Sequence, residues 1–207
     1  MIPSKTPKLV SKLLDNYIWE IPNDKNEVFL TFDDGPIPEV TPWVLDVLDQ
    51  FKINATFFCV GENIKKHPDI FKRIVNQGHQ VGNHTYNHLS GWKSDTDAYL
   101  KNILRTDEVL EDFKVETKLF RPPYGKIKPA QSKAVRNMGK NIIMWSVLSK
   151  DYNPDLNSEK VYNNLLQAGS GSIIVCHDNV KAFSHLKAIL PPAIENLRSQ
   201  GFVFKTL

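Results

Sequence analysis

Cysteine is scarce in this chain, two residues among 207, and neither belongs to a Cys-x-x-Cys pair or a Cys/His cluster, which argues against a thiolate metal centre. Cys59 and Cys176 each lie inside a short apolar run, ATFFCVG and SIIVCHD, and read as buried free thiols. Long apolar runs are missing as well. No stretch approaches the ~18 apolar residues of a membrane span, and the first residues, MIPSKTPKLVSKLLDNYIWEIP, lack the uninterrupted core of a signal peptide. The expectation is a soluble, cytoplasmic protein. An excess of one charge is also lacking: 26 Lys and Arg stand against 23 Asp and Glu, a net +3, with the two signs intermixed. Without a basic stripe the chain does not read as a nucleic-acid binder. No repeat, low-complexity linker or feature demanding an obligate protein partner is evident.

What is present is an ordinary globular composition, 41% apolar and 24% charged, at a length natural for one domain. Short apolar runs rich in β-branched and aromatic residues recur at Val28–Phe32, Ala55–Val60, Gln80–Asn83, Leu119–Arg121, Ile142–Val147, Ser172–Cys176 and Phe202–Lys205. They read as seven buried parallel strands. Between them lie amphipathic helices. One covers Pro42 to Phe51, with Thr41 as its cap and Pro42 at its first position. A second carries Ile70, Phe71, Ile74 and Val75 and ends at Gly78. Others span Asp95–Asp112, Pro129–Met138, Ser158–Gln167 and Ser184–Gln200, the last kinked or split by Pro191 and Pro192. Residues 1–26 read as a helical lead-in, with a helix over Leu9–Trp19, ahead of the main unit over residues 27–207. An open doubly wound sheet and a closed barrel both fit this alternation. A (β/α) barrel is preferred, because the unusual polar residues all fall at C-terminal strand ends, where barrel active sites are built.

Those polar residues are few. TFDDGP puts Asp33 and Asp34 at the end of the first strand, where two adjacent carboxylates need a cation or a shared proton; a helix-capping Asp explains the same motif. GNHTYNH sets His84 and His88 four apart, so that on one helical turn or a tight loop both imidazoles face one point. Two histidines and a carboxylate form a catalytic zinc set that leaves a position open for water. RPPYG places Arg121 at a strand end, where it needs a carboxylate such as Asp33, although a solvent-facing Arg beside a polyproline turn is the ordinary alternative. Asp151–Tyr152 follows the fifth strand and His177 the sixth; a loop acid and a core histidine are the commoner explanations of these. His67, His79 and His185 have no acidic strand-end partner and read as structural. Trp43 and Trp145 read as core, whereas Tyr86, Trp92 and Tyr152 lie near strand ends, where simple loop packing and stacking on a ligand are equally open.

From about Glu27 to Leu207 the ordered set TFDDGP, HTYNH, RPPYG, the Asp151 segment and CHD resembles the polysaccharide deacetylase family, the NodB-homology carbohydrate esterases. The resemblance implies a distorted (β/α)7 barrel of TIM-barrel type. It further implies a metal-dependent hydrolase that removes acetyl groups from N-acetylated sugars such as peptidoglycan or chitin oligomers. Asp34, His84 and His88 would hold one divalent ion, zinc first, with cobalt, nickel or manganese compatible. Asp33 would be the general base, oriented by Arg121. His177 would be the general acid, set by Asp151, and the Tyr124 N–H would face the oxyanion. Tyr124, Tyr152 and Val175 would touch substrate. The chain departs from the family pattern at Leu148, Tyr152 and Val175, which bears on the acetyl pocket and the choice of sugar. An esterase on O-acetylated xylan-type glycans and a non-catalytic carbohydrate-binding barrel are the rival expectations.

Overall fold

A computed structural model describes residues 3–207. Strand β1 (Glu27–Asp33) sorts its side chains by alternation. Val28, Leu30 and Phe32 join an apolar cluster with Val44, Leu48 and Phe57 on the helical side. Phe29 packs with Phe58, Phe120 and Val175 on the other face, followed on that face by Thr31 and Asp33. The remaining strands are β2 (Thr56–Cys59), β3 (Gln80–Asn83), β4 (Leu119–Phe120), β5 (Asn141–Ile142), β6 (Val147–Leu148), β7 (Ile173–His177) and β8 (Val203–Lys205). Every ladder is parallel, and the order is β5-β4-β3-β2-β1-β7-β6. That order is the chain order of a ring cut open between β5 and β6, which settles the choice between doubly wound sheet and barrel in favour of a distorted (β/α) barrel.

The cut falls inside the run expected as a single strand over Ile142–Val147. Its beginning pairs with β4, through Ile143 N–H to Phe120 O at 2.8 Å, and its end with β7, through Ser146 N–H to Ile173 O at 3.1 Å. One peptide segment therefore crosses from one edge of the sheet to the other and joins the two covalently. The lead-in braces this seam. Ile18 N–H bonds Ile142 O at 2.9 Å, Met144 N–H bonds Ile18 O at 2.7 Å, and Thr6 N–H bonds Ser146 O at 2.9 Å. That pairing draws Ile18 into extended backbone, so helix α1 covers only Lys8–Leu13 rather than Leu9–Trp19. β8 pairs Glu27–Phe29 at the start of β1, and β2 takes over along the same edge from Thr31.

The helices are α2 (Val40–Gln50), α3 (Gly61–Lys66), α4 (Pro68–Asn76), α5 (Thr96–Glu111), α6 (Pro129–Asn137), α7 (Ser158–Leu165) and α8 (Phe183–Ser199). Asp95 and Asn157 cap α5 and α7 by accepting from Ala98 and Lys160 N–H, each at 2.8 Å. Thr41 is not the cap of α2: the helix starts at Val40, because the Thr41 hydroxyl is drawn to Asp178. Nor do Pro191 and Pro192 split α8. Leu186, Ile189, Leu190, Ala193, Ile194 and Leu197 form one continuous buried face that holds the helix together through both prolines. α3 was not apparent in the apolar spacing. Cys59 and Cys176 are both free and buried, with burial pushing each thiol pKa up.

Candidate active site

At the end of β1 the two neighbouring carboxylates part. Asp33 points into the barrel, where its Oδ1 accepts from Arg121 Nη1 at 2.6 Å. Arg121 is fully buried and spends its other donors on Thr31 Oγ1 (2.7 Å) and on the seam carbonyls of Ile143 (3.3 Å) and Met144 (3.0 Å). Its guanidinium lies 4.0 Å over the Phe58 ring, and only a glycine at position 82 leaves room for that ring, since a Cβ there would approach it to 2.5 Å. Asp34 instead adopts a left-handed conformation, φ 89°, which turns its carboxylate to the barrel mouth. The turn is held from below. Asn63 Nδ2 donates to Asp34 O at 2.7 Å, and Gly35 N–H donates to Asp178 Oδ1 at 3.0 Å. Thr41 Oγ1 donates to Asp178 Oδ2 at 2.6 Å while accepting Ile37 N–H at 2.8 Å.

His84 and His88 meet on a tight loop rather than a helix. Buried Asn83 accepts Thr85 N–H at 2.8 Å and is itself anchored to Ile103 O and Asp107. Thr85 and His88 have φ of 64° and 58°, and Thr85 Oγ1 accepts Leu89 N–H at 2.9 Å to close the loop. The rings come to 5.0 Å between centroids. His84 Nδ1–H donates to Arg121 O at 2.7 Å, which leaves its Nε2 lone pair free to face Asp34. His88 Nδ1 bonds the Tyr124 hydroxyl at 3.1 Å and likewise presents Nε2.

Asp34 Oδ1, His84 Nε2 and His88 Nε2 form a donor set whose atoms all lie within 4.8 Å of one another. Buried Asp34 Oδ1 accepts no hydrogen bond, while Oδ2 takes Asn179 Nδ2 at 2.5 Å. An orphaned carboxylate oxygen between two imidazole lone pairs fits a divalent cation. The protonation states agree. Burial drives the His84 pKa down to about 4, so its imidazole is neutral. Burial pushes the Asp34 carboxyl up, but the contact with His88 and the positive charge of His177 outweigh it and hold the group well below the carboxylate range.

Across the mouth, His177 is the register partner of Asp33 on the adjoining strand. Asp151 is fully buried and grips His177 twice, at Nδ1 (2.8 Å) and at the backbone N–H (2.7 Å). Burial would lower the imidazole pKa; the Asp151 charge and bond, with Asp34 and Asp33 behind them, raise it instead to about 9. His177 and the Asp34, His84 and His88 set open on one cavity of about 520 Å³, walled by Tyr124, Trp145, Leu148, Tyr152 and Val175. Tyr152 stands edge-on to His177 at 4.9 Å. Tyr124 sits in a left-handed turn, φ 61°.

The ten residues given roles by the resemblance thus converge on one cavity or on the groups beneath it. Tyr86 does not: it is buried under Arg105 and packs in the core. His79 is also internal, accepting Ala55 N–H at 3.2 Å, and burial lowers its pKa to about 4. Three supporting residues were not anticipated from the sequence: Thr31, Asp178 and Asn179. Asp178 and Asn179 directly follow His177, and a polar pair after a buried strand was the available signal.

A family model for polysaccharide deacetylases matches residues 20–143. A peptidoglycan-N-acetylglucosamine deacetylase of Bacillus cereus is 37% identical over 193 residues, covering 91% of this chain and 90% of its own. A chitooligosaccharide deacetylase of Rhizobium leguminosarum bv. trifolii is 31% identical, covering 92% and 97%. Among solved structures, a peptidoglycan N-acetylglucosamine deacetylase superposes with a TM-score of 0.89 at 38% identity, covering 98% of this chain and 95% of that one.

Proposed function

This chain belongs to the polysaccharide deacetylase family, carbohydrate-deacetylating hydrolases that use a divalent metal, and from that premise we propose that its substrate is the N-acetylglucosamine of a peptidoglycan-type glycan and its ion zinc. The observation that carries this reading is the parting of Asp33 and Asp34, one carboxylate committed to Arg121 and the other to His84 and His88. Asp34, His84 and His88 would hold the cation, which would supply Lewis acidity toward the acetyl carbonyl and the attacking water. Asp33, engaged by Arg121 through one oxygen, accepts the proton of the attacking water. The Tyr124 N–H donates to the oxyanion as it forms. His177, kept protonated by Asp151, gives its proton to the sugar nitrogen as the C–N bond breaks, releasing acetate and a free amine. Leu148, Val175 and Tyr152 exclude water around the acetyl methyl.

The test is acetate release from N-acetylglucosamine oligomers and, in parallel, from acetyl-xylan, after chelation and after adding back Zn²⁺, Co²⁺, Ni²⁺ or Mn²⁺. Chelation is expected to abolish release from the oligomers and zinc to restore it. Release from acetyl-xylan alone would replace the amide reading with the ester one.

A further inference from the structure

Beyond Tyr124 the rim of the cavity carries groups that hydrolysis does not use. Trp92 is 61% exposed, yet it is held firmly on a single 3-10 turn, Gly91–Lys93. Its indole N–H donates to Ile127 O at 3.3 Å. Gly91 N–H bonds Lys126 O at 3.1 Å, and Gln131 Nε2 donates to Gly91 O at 2.9 Å. A side chain at position 91 would come within 2.5 Å of Gln131 Oε1, so glycine lets the turn lie this close. An aromatic face fixed in place and open to solvent is a ready surface for a sugar ring.

Between Trp92 and Tyr124 stands Lys126, its Nζ 5.3 Å from one ring centroid and 5.8 Å from the other. It is half-buried and lines the cavity, and among the described residues no carboxylate lies within ion-pair distance of it. The other lysine lining the cavity, Lys181, is exposed and equally unpaired. The carboxylates among the lining residues, Asp33 and Asp34, are already engaged by Arg121 and the two imidazoles. The rim is therefore cationic and aromatic at once.

We propose that Trp92, Lys126 and Tyr124 form a subsite for a carboxylate-bearing sugar next to the one that loses its acetyl group. The subsite rests on the deacetylase reading and narrows it to acidic N-acetylated glycans. Trp92 takes the face of the ring, and Lys126, already stripped of part of its water, pairs with the carboxylate. A neutral glycan gains the stacking but not the ion pair.

The experiment compares the zinc-loaded wild type with Lys126→Met and Lys126→Arg on three tetramers. One is neutral N-acetylglucosamine; one bears a 3-O-lactyl carboxylate on alternate sugars; one carries a peptide stem on that lactyl group, so that its carboxylates lie on the peptide. Lys126→Met is expected to raise KM about fivefold on an acidic tetramer, with kcat held and neutral turnover within about twofold. Lys126→Arg should restore KM, and the acidic tetramer that shows the loss identifies which carboxylate is bound. Equal loss on the neutral tetramer, or none on either acidic one, overturns the subsite. Binding of the acidic tetramers to chelated protein, read by tryptophan fluorescence, keeps the two readings separable. If no tetramer releases acetate, the deacetylase reading fails, and the binding arm still judges the subsite: about fivefold weaker binding by Lys126→Met supports it, and equal binding overturns it.

Discussion

Asp33 and Asp34 are chemically identical neighbours whose tasks are divided by backbone geometry alone. The left-handed turn at Asp34 sends one carboxylate to the histidines, and strand alternation sends the other to Arg121. Substituting each arm should therefore fail differently. Asp33→Asn is expected to retain the metal and lose about 10²–10⁴ in rate, the usual contribution of a placed base. His84→Ala is expected to lose the metal itself. Elemental analysis of the two purified variants beside acetate release decides this, and equal metal loss in both would end the division of labour. At this scale the sequence was highly legible. Paired acids, histidines four apart and an arginine at a strand end are conspicuous in a chain otherwise apolar at those points. Asp178 was not, because an acid beside a histidine has no distinctive spacing, and only the fold brings it beneath Gly35.

The turn from β1 to α2 is an element whose shape depends on the turn from β7 to α8. Asp178 sits under it, paired with no cation among the described residues and accepting from Gly35 N–H and the Thr41 hydroxyl. Burial pushes its pKa up to about 8, with the Asp34 charge adding to the effect. His177, one residue earlier, is also raised, to about 9. In both cases the folded protein holds its proton more tightly than the unfolded chain does, so the sign is the same. For Asp178 the stabilisation is fully present below about 4 and fades as pH rises through about 8; for His177 it is present below about 6.5 and fades through about 9. Urea unfolding of the chelated protein should show stability falling from pH 6 to 9.5. Asp178→Asn should flatten the lower part of that fall and Asp151→Asn the upper part. A wild-type stability that rises over this range would contradict both assignments. Helices α2 and α4 to α8 were read to within a few residues, because apolar spacing marks them directly. The start of α2 was misread because a tertiary partner, Asp178, outcompetes the local role of Thr41.

Across the whole molecule, the barrel is closed by Ile143–Ser146 rather than by a strand ladder, and no local pattern distinguishes a run that pairs along one edge from one that changes edges. The single strand expected over Ile142–Val147 is divided into β5 and β6 for that reason, although the alternation of strand and helix was plain. Arg121 is the group that spans the closure, bonding β1 through Thr31 and Asp33 and the seam through Ile143 and Met144. Arg121→Met leaves a buried carboxylate and two carbonyls without their donor, and is expected to cost about 3–5 kcal/mol of stability by urea unfolding. Arg121→Lys should recover only part of this, because an ammonium cannot reproduce the planar fork.

The same guanidinium that shuts the ring also holds the base, and the carbonyl of the same residue sets the tautomer of His84. A barrel that springs open at its seam thereby disarms its own chemistry. Partly unfolded molecules are silent rather than slow, so the activity of a preparation counts its intact rings.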